Sequence, residues 1–227
     1  MPAPIRALSF DCFGTLIDWR FGQERVLRQL PSLRECGDRL QEIAVRREEV
    51  EQRLEAEPWM PYHEVLARSV AEACQSVAGV EMSPREAAAF AAGQLGWPAF
   101  PDSPGALARI AARYPIALLS NCDAEVLELA ARKHLGAPIE WFVSAESVRS
   151  YKPAPAHWEQ LLERSGLRPE EILHVSFARA YDLDQAASMG FSLGFVGRYG
   201  LQAPEDLNIR WAADDLAGLA ELALNSR

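Results

Sequence analysis

Lysine is almost missing from this chain: of its 23 basic residues, only Lys133 and Lys152 are lysines. A bias of that kind, spread over a whole sequence, reflects composition, but it makes a lone lysine inside a motif informative. Positive charge is short in general. The net charge is −9 and the isoelectric point about 5.0. That balance excludes a general attraction to nucleic acid or to an anionic membrane surface, and leaves room for a local basic pocket that takes a small anion. Cysteine is scarce as well. Cys12, Cys36, Cys74 and Cys122 show no C-x-x-C spacing, which excludes the common redox and zinc motifs. No apolar run approaches the roughly 20 residues needed to span a bilayer. Only MPAPIR precedes the first strand, so no signal peptide is expected. These absences predict a cytoplasmic protein with free thiols and neither a nucleic-acid nor a membrane partner.

What is present is enough apolar material for a core: 49% of 227 residues are hydrophobic. That length suits one large domain, or a core carrying a smaller insertion. "IRALSFD" reads as a short apolar strand ending in a carboxylate. From Trp19 to about Gly96 apolar residues recur at three- and four-residue steps with no strand-like alternation, so this stretch is expected to be helical. Ser83-Pro84, with Glu86 three residues after the serine, marks a helix start with a capping box. After "GWPAFPDSPG" the pattern changes. Helices alternate with the strands "PIALLSN", "IEWFVSAE", "EEILHVS" and "FSLGFVGR", and "DDLAGLAELAL" closes the chain as a helix. Alternation of this kind implies βαβ units and a parallel sheet covered on both faces. The expected fold is α/β: a doubly wound, Rossmann-like parallel sheet of residues 1–17 and 97–227, with a helical domain inserted at 18–96.

In such sheets the active crevice lies beyond the carboxyl ends of the strands. The first strand ends at Asp11, the second at Ser120 and Asn121. The third is followed by Lys152, and the fourth by Asp182. An aspartate, a hydroxyl, an amide, a lysine and a second aspartate are thus expected to converge. Asp11, before the Gly14 turn, is placed to be held by backbone donors and aimed at an electrophile. Thr15 can hydrogen-bond and orient it, and Asp18 braces the loop. Lys152 can pair with Asp11 and keep it ionised. Pro153 restricts Lys152 to an extended conformation. No histidine is locally placed to activate the Cys12 thiol.

These motifs resemble those of the haloacid dehalogenase superfamily. "FDCFGTLID", "LLSN", "SYKP" and "HVSFARAYD" stand in that family's order and spacing along the whole chain. The resemblance implies a helical cap inserted after the first motif. "DCFGTLIDW" and "SAESVRSYKP" are most similar to the L-2-haloacid dehalogenase branch. It implies Asp11 as nucleophile, Ser120 as an anion-holding hydroxyl, Asn121 as part of a halide cradle, and Asp182 as the residue that orders or deprotonates a water. Cys12 and Phe13 are expected on the substrate side of the first loop. Phe177 and Tyr181 are expected to line an apolar pocket, and Arg46 or Arg47 to be the cap arginine that meets the substrate. A dimer is usual in that branch. The histidines, His174 included, read as structural.

Phosphatases of the superfamily carry Asp-x-Asp in the first motif, where the second acid protonates an alkoxide leaving group. Here that position is Phe13, and Phe177 stands where metal-dependent relatives have a carboxylate. A halide leaves without a proton. The expectation is therefore a hydrolytic dehalogenase with no metal or other cofactor. Its substrate would be a small anionic 2-haloacid, and its intermediate an ester on Asp11. An Mg²⁺-dependent phosphatase, with Asp182 and Asp184 as ligands, and a non-catalytic binding protein of the same fold are the alternatives.

Overall fold

The computed structural model describes residues 3–225. Six strands form one parallel sheet: β1 (Ala7–Asp11), β2 (Ile116–Ser120), β3 (Trp141–Ser144), β4 (Ile172–Ser176), β5 (Ser192–Val196) and β6 (Ile209–Ala213). Their order is β3-β2-β1-β4-β5-β6. The order reverses between β1 and β4, so the crevice of a doubly wound sheet opens at their carboxyl ends. β1, β2 and β4 are buried along their whole length, as continuous apolar strands covered on both faces should be. Apart from Ser120 at the end of β2, their polar exceptions are spaced by two: Ser9 and Asp11 in β1, His174 and Ser176 in β4. Side chains two apart on a strand share a face. Ser9 lies directly opposite His174 in the parallel register, so one apolar face carries a polar strip toward its carboxyl end. A core cluster that includes Leu119, Val143, Trp158, Leu161, Leu183 and Phe191 packs on the sheet.

β6 was not legible in the sequence. It is an edge strand in which only Trp211 is buried, with Arg210 half-buried and Ala212 exposed, so it lacks the apolar run that marks the central strands.

Contacts divide the chain into two compact units, Trp19–Pro98 and the segments on either side of it. The first is helical: α1 (Trp19–Leu27), α2 (Arg39–Glu55), α3 (Tyr62–Ala78) and α4 (Pro84–Ala92). Pro31 ends the α1 periodicity early, and a 3₁₀ turn, Pro31–Leu33, takes its place. The capping box opens α4, with the Ser83 side chain accepting from the Glu86 amide and Glu86 reaching back. Gly22 lets α1 lie against Trp97: a methyl at that position would come within 2.3 Å of the indole.

The α/β unit holds the sheet with α5 (Ser103–Ala111), α6 (Ala124–Ala130), α7 (Ala145–Val148), α8 (Ala156–Ser165), α9 (Asp184–Ser188) and α10 (Leu216–Asn225). Within it, Ile17 and Ala99 form an antiparallel bridge, and the Phe100 amide donates to the Leu16 carbonyl at 3.0 Å. The two ends from which the helical segment departs and returns are therefore paired backbone to backbone.

Candidate active site

β1 carries Asp11 to its carboxyl end, and a tight loop follows. The amides of Leu16 and Ile17 both donate to the Cys12 carbonyl, at 2.9 and 3.0 Å, and the Gly14 amide donates to Ile17 at 2.7 Å. Gly14 has φ of +106°, a conformation that L side chains rarely adopt. The loop turns the fully buried Thr15 back so that its hydroxyl donates to Asp11 Oδ2 at 2.8 Å. Thr15 Oγ1 in turn accepts from the Phe177 amide at 3.4 Å.

Lys152 reaches the same point from the loop after α7. Its ammonium donates to Asp11 Oδ1 at 2.8 Å, to Asp182 Oδ1 at 2.8 Å and to the Leu119 carbonyl at 3.1 Å. Those three bonds use its three protons. Asn121 holds the lysine backbone at both ends: its Oδ1 accepts from the Lys152 amide at 2.7 Å and its Nδ2 donates to the Lys152 carbonyl at 3.2 Å. The Lys152–Pro153 peptide is cis. The Asn121 amide, expected from the resemblance to cradle a halide, thus also brackets the lysine backbone.

Asp182 lies within a π-helical turn, Arg179–Leu183, rather than at the cap of α9. Besides Lys152, its Oδ1 faces His174 Nε2 at 3.1 Å, and its Oδ2 accepts from the Ser176 hydroxyl at 3.1 Å. The single ammonium does not serve the two acids equally. Burial works against charge on both. At Asp182 the lysine and the histidine contact outweigh it and hold the carboxyl near pKa 2. At Asp11 burial, aided by the neighbouring Asp182 charge, keeps the pKa above the usual carboxylate value. Lys152 is buried too, but its two carboxylates raise its pKa, so it stays charged.

Other expected residues fall differently. Ser120 is buried at the end of β2; its hydroxyl bonds the Cys122 thiol and its carbonyl faces His157 Nε2 at 3.2 Å. Cys12, expected on the substrate side of the loop, is fully buried, and burial pushes its thiol pKa well up. Phe13, Phe177 and Tyr181 are half-buried. Phe177 meets Tyr199 edge-on at 5.6 Å, and Tyr199 meets Phe100 at 5.7 Å. The Tyr199 hydroxyl donates to Asp18 at 3.1 Å, which gives Asp18 its bracing role. Arg46 and Arg47 both lie on α2, each engaged inside the helical unit. Arg46 is half-exposed and pairs with Glu49 and Glu72. Arg47 is buried, pairs with Glu51 and Gln23, and stacks near Trp19 and Phe90.

Four further residues complete the cluster. Ser9, His174 and Ser176 form the polar strip, and their spacing of two within apolar strands was the available signal. Arg198 is the fourth. It follows β5 in "VGRYG", a strand end like the others, and is buried. Its Nε donates to the Thr15 carbonyl at 3.0 Å, and its two terminal nitrogens grip Asp102 at 3.1 and 3.0 Å.

A family model described as haloacid dehalogenase-like hydrolase matches residues 5–188. The chain belongs to that family. This hydrolase is 26% identical over 225 residues to (S)-2-haloacid dehalogenase 1 of Pseudomonas sp. (strain CBS-3), covering 96% of this chain and 95% of that protein. It is also 26% identical to haloacetate dehalogenase H-2 of Moraxella sp. (strain B), over 88% of this chain and 89% of that one. Its fold is shared with the L-2-haloacid dehalogenase from Xanthobacter autotrophicus with chloropropionic acid covalently bound. The two superpose with a TM-score of 0.82 at 21% identity, covering 98% and 100% of the chains.

The residues of this hydrolase do not fit the divalent metal used by phosphatases of the superfamily. The space between Asp11 and Asp182 is bridged by the Lys152 ammonium, and Phe13 and Phe177 offer no side-chain oxygen. Among the described residues no group of three or more His, Cys, Asp or Glu side chains is arranged to hold a metal ion.

Proposed function

We propose that this hydrolase is a metal-independent dehalogenase of small 2-haloacids that works through an ester on Asp11. One observation carries the reading: a buried carboxylate is held by Thr15 and a charged lysine, with phenylalanine where a leaving alkoxide would need an acid. An Asp11 oxygen bonds to the halogen-bearing carbon, and the carbon–halogen bond breaks with its electron pair leaving on the halide. Water then adds to the Asp11 carboxyl carbon as Asp182 takes its proton. The bond from that carbon to the bridging ester oxygen breaks, Asp182 passes its proton to that oxygen, and a 2-hydroxy acid departs; loss of the second water proton to solvent regenerates the Asp11 carboxylate. Since the Lys152 protons are already engaged, the substrate carboxylate is received by Ser120 and the backbone amides of the first loop. The dehalogenases named above act on substrates of this class by their names.

The test is halide release from L-2-chloropropionate and haloacetates, with and without EDTA. Release that EDTA leaves unchanged, and that falls by roughly a thousandfold or more in Asp11→Asn, is expected. No halide release alongside Mg²⁺-dependent hydrolysis of phosphate esters would overturn the reading.

A further inference from the structure

The mechanism above gives Asp182 a role but leaves unexplained what holds it. Among the described residues its Oδ1 takes two donors, Lys152 and His174, while Oδ2 takes only the Ser176 hydroxyl. Ser176 is itself fixed, since its Oγ accepts from the Ala178 amide at 2.9 Å. Oδ2 thus keeps acceptor capacity for a water. His174 has no solvent exposure and makes three contacts: Asp182 through Nε2, Ser9 Oγ at 2.9 Å through Nδ1, and the Trp158 ring edge-on at 5.4 Å. An ionised carboxylate can only accept, so Nε2 carries the proton, and Nδ1 is left to accept from the Ser9 hydroxyl. The β1–β4 register makes this possible by setting Ser9 and His174 opposite one another. A core histidine satisfied for its own sake needs no such directed link to an acid that binds the essential lysine.

We propose that His174, with its tautomer set by Ser9, is a positioning residue that anchors Asp182 Oδ1 and leaves Oδ2 turned to the water that hydrolyses the Asp11 ester. This rests on the dehalogenase reading. It predicts that the two half-reactions separate. Formation of the ester needs Asp11 and not the placement of Asp182, whereas its hydrolysis needs both.

The experiment compares wild type with His174→Phe/Ser9→Ala, which removes the donor without orphaning the serine hydroxyl, and with His174→Gln, whose amide nitrogen can replace Nε2–H. Thermal melting confirms that each is folded. In the double variant, mixing with L-2-chloropropionate should release about one halide per enzyme in a burst. Turnover should then run roughly tenfold to hundredfold more slowly, with the ester on Asp11 visible as added mass in the intact protein. The glutamine variant should recover to within about threefold of wild type. Unchanged turnover in the double variant, or equal loss of burst and turnover, would overturn the proposal. The tautomer is read separately by ¹⁵N–¹H NMR of the imidazoles, assigned with His174→Gln: a protonated Nε2 is expected, and a protonated Nδ1 would also overturn it. Wild type that releases no halide would defeat the dehalogenase reading alone and leave the tautomer to decide the placement.

Discussion

One ammonium between two carboxylates leaves a net negative charge in a buried site, and the two acids answer it in opposite directions. Asp182 is held near pKa 2, whereas Asp11, with its pKa raised chiefly by burial, takes a proton first as the pH falls. A protonated Asp11 cannot attack. The kcat/KM for a haloacid should therefore fall on an acid limb lying above the ordinary carboxylate value of 3.8. Thr15→Val removes a donor to the charged form and should move that limb to still higher pH in a pH–rate profile. Lys152→Met leaves two buried acids facing each other. It should abolish turnover and cost about 3–5 kcal/mol at neutral pH. Protonation relieves the repulsion, so part of that loss should return when urea unfolding is repeated at acid pH. Asp11, Lys152 and Asp182 were legible because strand ends in a parallel sheet are where charge converges. His174 was not, since a histidine inside "ILHVS" reads as core until the register shows what lies opposite it.

At the scale of elements, the loop from Cys12 to Asp18 is held from two sides. Its own hydrogen bonds close the turn, and Arg198 after β5 grips the Thr15 carbonyl. The arginine is oriented by Asp102, which also accepts from the Leu216 amide at 2.6 Å at the start of α10, and it stacks over the Phe100 ring at 4.0 Å. Arg198→Met strands a mostly buried carboxylate and frees the loop carbonyl. It should cost about 2–3 kcal/mol in chemical denaturation and lower kcat more than it changes KM. A double-mutant cycle with Asp102→Asn should show strong coupling. The alternation of helices and central strands was readable because buried parallel strands are continuously apolar. The edge strand β6 and the break of α1 at Pro31 were not, because tertiary placement decides them.

For the whole molecule, the Ile17–Ala99 bridge means that the helical segment leaves and re-enters the α/β unit at one paired position. Every contact described among Ser9, Asp11, Thr15, Lys152, His174, Asp182 and Arg198 lies outside residues 19–98. Replacing that segment by a short Gly-rich turn should leave a chain that unfolds cooperatively with an α/β circular dichroism spectrum; loss of the cooperative transition would count against it.

The acidic, lysine-poor composition has a practical outcome at this scale. Lys152 is sealed in the site as a charged ammonium, and Lys133 is exposed. Amine-reactive dyes acylate only neutral, accessible amines, so of the chain's two lysine side chains the native protein should accept label at Lys133 alone. A fluorophore could then be attached at one lysine side chain without engineering the sequence.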